Sequence, residues 1–256
     1  MAEPGSPLLV VKGLERHFQV AATPSSPART LEVLRGVNLT IAAGEMASIV
    51  GQSGTGKSTL LHILGTLDKP TGGNVVYRGT DVFSMSEGAL ASFRNHNIGF
   101  VFQFHHLLAE FSALQNVMLP GLIAGLSPKE AAKRAEPLLE QVGLSHRLTH
   151  RPGELSGGEQ QRVAFARALV MQPDIVFADE PTGNLDTATS EEIHALLVRL
   201  NEETNTAFVV VTHNVRLAWL MKRHLLLEGG VIRELRDDEA PEGFLPKREE
   251  SRGGMA

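Results

Sequence analysis

Three stretches hold the residues whose types and spacing could do chemistry. The first is GQSGTGKS, Gly51 to Ser58. A glycine-rich loop before a helix presents backbone N–H groups and the positive helix end to phosphate oxygens, a lysine there neutralises the β and γ phosphates, and a hydroxyl can ligate Mg²⁺. Lys57 and Ser58 are placed for those two roles. The second is IVFADE, in which an apolar strand delivers Asp179 to the Mg²⁺ shell and Glu180, one residue on, can polarise an attacking water. The third is LSGGEQ. Ser156 and Glu159 stand in capping-box spacing and Gly157 and Gly158 open a helix, so this too resembles an anion-binding helix N-terminus. A monomeric P-loop kinase would account for the first cradle and leave the second without a purpose.

The elements that must position these residues follow from periodicity. LLVVKGL and VNLTI read as strands, separated by AATPSSPART, whose Pro and Ser content marks a solvent-exposed loop. MASIV, the glycine loop and TLLHILGTL give strand, loop and helix in order, while IVFAD and TAFVVVTH are short, continuously apolar runs of the kind found in buried parallel strands. These predict an α/β core with its chemistry at the carboxyl ends of the strands. His213 closes the last of those runs and should emerge beside Asp179. Gln103, after the apolar run IGFVF, could reach either the metal or the attacking water. A helix-rich segment is expected over residues 86–165. Within it SPKEAAKRAEPLLEQVGL has Ser127 as N-cap, Pro128 at the first helical position, Glu130 completing a capping box and Gly143 as the stop, with a kink or break expected at Pro137.

Composition narrows the class. The 256 residues are 42% apolar and carry a formal charge of −5, which argues against a nucleic-acid partner needing a broad basic face. There is no cysteine, so disulfides and thiolate metal sites are excluded. No apolar run approaches the roughly 20 residues needed to span a bilayer, and MAEPGSPLLVVKG does not read as an export signal, so a cytoplasmic chain is expected. Residues 8–236 read as a single domain, and 237–256, rich in charge, Pro and Gly, as a disordered tail.

The ordered set GQSGTGKS, Gln103, LSGGEQ, IVFADE, Asn184 to Asp186 (NLD) and His213 resembles the ATPase subunit of ATP-binding cassette (ABC) transporters, over nearly the whole span from Leu8 to Arg236. The resemblance implies a P-loop NTPase core of RecA-like α/β type with an antiparallel β subdomain and a helical subdomain, binding ATP and Mg²⁺. It implies that Gly51, Gln52, Ser53, Gly54, Thr55, Gly56, Lys57, Ser58 and Thr59 hold nucleotide, that Ser58, Gln103 and Asp179 serve the metal, and that Lys57, Glu180 and His213 serve hydrolysis, with His213 supporting the γ phosphate. It also gives the second cradle a use. Two such subunits meet head to tail, so Ser156, Gly157 and Gly158 would contact ATP held by a partner copy, with Asn184 and Asp186 at the interface of a homodimer. By the same resemblance Phe18 would stack on adenine where many relatives have Tyr; the alternative is a core phenylalanine.

FHHLLAEFSALQNVMLPGLI resembles the branch serving lipoprotein release, macrolide efflux and cell-division permeases, and QFHHLL points towards lipoprotein release. Implied partners are integral membrane permease subunits, through which lipoprotein cargo would be met, at the cytoplasmic face of a bacterial inner membrane. Macrolide or peptide efflux and cell division are the alternatives, and a soluble ABC ATPase is a remote one. His105 and His106 suggest either a metal site or, with Phe104, Leu107, Leu108 and Phe111, a surface groove for a short permease helix.

Overall fold

The computed structural model describes residues 7–21, 27–236 and 239. Most of the loop within AATPSSPART and nearly all of the tail after Arg236 therefore lie outside the described residues. Two sheets organise the rest. The first is antiparallel and four-stranded, in the order β2-β1-β4-β5, with β1 Leu9–Val20, β2 Arg29–Ile41, β4 Gly72–Tyr77 and β5 Thr80–Asp81. The second has six strands in the order β10-β9-β3-β8-β7-β6, formed by β3 Met46–Val50, β6 Ile98–Phe102, β7 Ile175–Asp179, β8 Ala207–Val211, β9 Arg223–Glu228 and β10 Val231–Leu235. All pairings in it are parallel except β10 with β9. Both the α/β core and the antiparallel subdomain match expectation.

The middle strands are apolar throughout because both of their faces are covered. Along β7, Ile175 and Phe177 enter a core shared with β1, β2, β4 and helix α1 (Lys57–Leu64), whereas Val176 and Ala178 enter a second core shared with the helices on the other face. Those helices are α3 Ala113–Ile123, α4 Pro128–Gln141, α5 Gly157–Leu169 and α6 Thr187–Thr204. The period-2 alternation of side chains thus builds two cores from one strand. Helix α2 (Glu87–Asn97) precedes β6, and α7 (Val215–Leu220) precedes β9.

Local signals fix the helix ends. Ser112, Ser127 and Ser156 each form a complete capping box, with Gln115, Glu130 and Glu159 respectively. Helix α4 stops where expected: Gly143 takes the left-handed conformation, φ 79°, and its N–H donates to the Glu140 carbonyl at 2.8 Å. Helix α4 continues through Pro137, so the break, one of the two outcomes expected there, does not occur; the ring removes one N–H donor on an exposed face, where water can serve the freed carbonyl. The segment 86–165 is helix-rich as expected, with α2, α3, α4 and the first turns of α5, and it also contributes β6 (Ile98–Phe102) to the core sheet. Among the described residues no helix is long and apolar enough to cross a membrane.

Gly99 permits the closest approach between β6 and α5: a Cβ there would stand 2.5 Å from the Ala168 carbonyl oxygen and 2.9 Å from Val176 Cγ2. Backbone on one side and a buried strand on the other leave nothing to yield. Gly99→Ala is expected to lower unfolding free energy by about 1–3 kcal/mol in urea denaturation; an unchanged midpoint would show that β6 and α5 can separate freely.

Candidate functional site

Ladder register brings four strand ends to one edge. Ile49 pairs with Val211, Asp179 pairs with both Val211 and Phe102, and Val50 pairs with Leu226. The residues that follow, Gly51, Gln103, Glu180 and Thr212–His213, consequently leave the sheet together. Of these, Gln103, Glu180 and His213 line a cleft of about 480 Å³ with Asp179, Ser53, Gly54, Gly56, Lys57, Ser58, Thr59 and Val33. A larger cavity of about 720 Å³, between α4 and the ends of α5 and α6, contains none of these groups.

The glycine loop is built for an anion. Gly54 and Gly56 have φ of 79° and 98°, and a Cβ on Gly56 would meet Val33 Cγ1 at 2.5 Å. Gly56 caps α1 without any side-chain bond, so the first N–H groups of the helix stay available. The Lys57 ammonium donates to the carbonyls of Gly51 at 2.7 Å and Gln52 at 2.8 Å. Burial lowers its pKa, with the carboxylates of Glu180 and Asp179 acting in the opposite sense.

Asp179 and Glu180 are adjacent in sequence and differ in environment. Burial raises the pKa of Asp179, a hydrogen bond from Ser58 lowers it, and the Glu180 charge raises it again. The pair Ser58 and Asp179 is a hydroxyl and a carboxylate already in contact, which is the donor set of a Mg²⁺ that completes its shell with phosphate oxygens and water. Among the described residues there is no cluster of three or more His, Cys, Asp or Glu side chains able to hold a metal by themselves. Glu180 sits at φ 46°, a conformation that is strained for a non-glycine residue. Its Oε1 accepts from the His213 amide at 2.9 Å and lies 2.7 Å from His213 Nδ1, while Oε2 accepts from Thr212 Oγ1 at 3.0 Å. The carboxylate is thus locked in place at 15% side-chain exposure, whereas His213, at 72%, reaches outward into the cleft. Thr212 is the contributor that sequence reasoning missed; its only signal was its position immediately before His213.

Gln103 lines the cleft, but its amide nitrogen donates to Asn184 Oδ1 at 2.9 Å, and Asn184 Nδ2 donates back to the Gln103 carbonyl at 3.2 Å. Gln103 therefore ties the sheet edge to the segment ending at Asp186. Asp186 caps α6, accepting from the Thr189 N–H at 3.0 Å and the Thr189 hydroxyl at 2.7 Å, bonds that lower its pKa. Ser156, Gly157 and Gly158 lie outside the cleft. Ser156 and Gly157 are exposed at the start of α5, whereas Gly158 is buried, with space for a Cβ closed by Thr189 Cγ2 at 2.5 Å. Phe18 is also absent from the cleft lining; it is 38% exposed on β1, with the Arg16 guanidinium 4.5 Å above its ring.

The segment after Gln103 divides between core and surface. Leu107 packs into the helical core, whereas Phe104 and Leu108 point to solvent. The groove beside them, about 480 Å³, is walled instead by Leu67, Phe100, Phe102, Ile123 and Met171, with His106 from that segment. Those contributors come from five separate elements, so no local pattern announces them.

Fold and cleft together define a P-loop ATPase whose glycine loop opens on a cleft at the sheet edge, with the capped N-terminus of α5 lying outside that cleft. Residues 34–183 match the family model described as ABC transporter. The chain is 61% identical over 203 residues to the lipoprotein-releasing system ATP-binding protein LolD of Geobacter metallireducens, covering 79% of this chain and 90% of that protein. It is 56% identical to the LolD of Myxococcus xanthus, covering 80% and 92%. Among solved structures, the dimeric ATP-binding cassette MJ0796 in a post-hydrolysis state with ADP and Pi superposes with a TM-score of 0.79 at 39% identity, covering 89% of this chain and 98% of that one. The chain belongs to the ABC transporter family, as a LolD-like ATPase that binds and hydrolyses ATP.

The raised pKa of Asp179 has a sign that can be tested. A carboxyl with a higher pKa folded than unfolded favours the fold below its unfolded value and loses that contribution as pH rises through the folded one, so the ionised form costs stability at neutral pH. Asp179→Asn is expected to melt at a higher temperature than wild type at pH 7 without nucleotide, and to lose the extra stabilisation that MgATP gives wild type. A lower melting temperature in the absence of nucleotide would contradict the burial argument.

Proposed function

We propose that two copies of this chain close around two MgATP molecules and drive a separate permease that releases lipoproteins from the bacterial inner membrane towards the outer membrane. The observation that carries the dimer is the split between the two cradles. The P-loop, Asp179, Glu180, Gln103 and His213 share one cleft, while Ser156 and Gly157 sit exposed outside it. A nucleotide bonded to both requires a second chain. ATP then supplies charge-assisted bonds to two faces at once, and hydrolysis removes that link, so nucleotide state sets dimer closure.

Within each site, the α1 N-terminus and Lys57 hold the β and γ phosphates. Ser58 and Asp179, with Gln103 from the same cleft lining, would hold Mg²⁺, which would supply positive charge to neutralise the phosphates. Glu180 orients and polarises the attacking water from a carboxylate fixed by Thr212 and His213. His213 reaches the γ phosphate from the outer side, and Ser156 to Gly158 of the second copy close the site. Catalysis on this plan is positioning and preorganised charge. Phe18, at the exposed edge of β1, offers a π face to adenine, and Asn184 and Asp186 lie on the segment that faces the second copy.

The LolD relatives support the cargo reading, with permease subunits of the LolC/LolE kind holding this chain at the cytoplasmic face of the membrane. Cargo would be met only through those subunits, and no nucleic acid is involved. The apolar groove walled by Phe100, Phe102 and Ile123 supplies a seat for a short permease helix.

Glu180→Gln is expected to bind ATP, accumulate as a closed dimer in size-exclusion chromatography with MgATP, and turn over at least about 100-fold more slowly; turnover near wild type would remove Glu180 from the chemistry. Ser156→Ala should bind ATP and lose hydrolysis, whereas a monomeric ATPase would keep it. Mass spectrometry of the tagged chain from gently solubilised native membranes should find permease subunits with acylated lipoproteins. A drug-efflux permease with periplasmic adaptors would leave the ATPase mechanism and overturn the cargo.

A further inference from the structure

The groove is apolar and cationic. Its titratable lining residues are Arg94, His106 and Arg167, and no carboxylate lines it. Arg167, on α5, donates through Nη1 to the His106 carbonyl and through Nη2 to the His105 carbonyl, both at 2.7 Å. Burial lowers its pKa, and among the described residues no carboxylate is placed to offset the loss of water around it. Two of its five N–H donors are used in those bonds. Arg94 donates to the Thr66 carbonyl at 2.7 Å and, among the described residues, likewise has no acidic partner. Arginines elsewhere on the surface, such as Arg147 with Glu159 and Arg162 with Glu192, are paired. A half-buried guanidinium bonded only to carbonyls keeps its full charge, and an apolar helix laid over it would bury that charge further at considerable cost.

We propose that the permease segment seated in this groove carries an acidic side chain among its apolar residues, and that this carboxylate pairs with Arg167. This rests on the permease reading above and adds the chemistry of the partner. The apolar wall at Phe100, Phe102 and Ile123 takes the hydrophobic face of the segment, and the remaining donors of Arg167 take the carboxylate, with Arg94 contributing further positive charge to the same wall. The pairing is also placed to be felt at the ATP site, because Arg167 holds the backbone just after Gln103. His106 is set there at φ 49° with its ring edge 5.2 Å from Phe102. A carboxylate paired with Arg167 would therefore sit on the side chain that holds this loop.

The chain contains no cysteine, so Ile123→Cys, at a position 76% exposed on the groove rim, gives one attachment point for a photoactivated crosslinker. In native membranes the full chain should crosslink to a permease segment with an Asp or Glu within one helical turn of the captured residue. Adding Arg167→Gln should cut the yield about tenfold or more. Arg167→Glu combined with a Lys at the permease acid should restore it, which a merely structural loss of the carbonyl bonds would not allow. Capture of a permease segment without an acid, or failure of the charge reversal to restore yield, overturns the pairing and leaves the permease reading intact. Crosslinking to no membrane protein at all overturns both.

Discussion

Everything at the ATP site depends on the register of the parallel ladder. Val211 pairs with both Ile49 and Asp179, and Asp179 pairs with Phe102, so three loops and one catalytic pair leave the sheet at one level. A slip of one residue in any of these pairings would move the following side chain to the other face and the whole loop by a residue's rise. Register is held because each strand is buried on both faces, with Phe177 and Val209 committed to one core and Val176 and Val210 to the other. The precision of the site is therefore inherited from apolar packing well below it.

That precision permits an electrostatic arrangement that would otherwise relax. Lys57, Asp179 and Glu180 stand close enough for each to influence the others, and burial opposes the charge of both Lys57 and Asp179. The lysine turns to backbone carbonyls, the aspartate to a serine hydroxyl, and Glu180 is held at a left-handed φ by bonds to Thr212 and His213. Each is a charge kept partly out of water and aimed at one cleft. On the proposed function, these are the groups that an incoming phosphate and divalent cation would meet, and pairing with them would offset the cost of keeping such charges partly out of water.

What the sequence revealed was whatever is specified locally. Ser127, Glu130 and Gly143 mark the ends of α4 because capping is a matter of a few adjacent residues. MASIV and IVFAD announce buried strands because continuous apolar character is local too. The P-loop, Asp179, Glu180, Gln103 and His213 were found as motifs and proved to share a cleft. Pro137 misled because its cost depends on whether the freed carbonyl meets water, a property of the surroundings. Leu107 and Phe104 look alike in sequence, and only the packing of the helices sends one inward and the other out. The bond from Thr212 to Glu180 and those from Arg167 to the loop after Gln103 link residues far apart along the chain, with no local pattern to mark them.

The same long-range bonds explain how a site on one edge can respond to events on a neighbouring face. Gln103 grips Asn184, and so reaches the segment that ends in the Asp186 cap of α6. Three residues further along, the loop is held by Arg167, which belongs to the helix whose first turn is the second cradle. Phe102 links the groove wall to α1, its ring 6.4 Å from that of His62 and 5.2 Å from that of His106. The loop is thus a single short piece of backbone fastened to Asn184, to α5 through Arg167 and to the groove wall. On the proposed function, an occupant of the groove and a nucleotide in the cleft would both meet this one piece of backbone. Coupling of this kind needs no large rearrangement of the sheet. It needs only that the loop have two arrangements of similar energy.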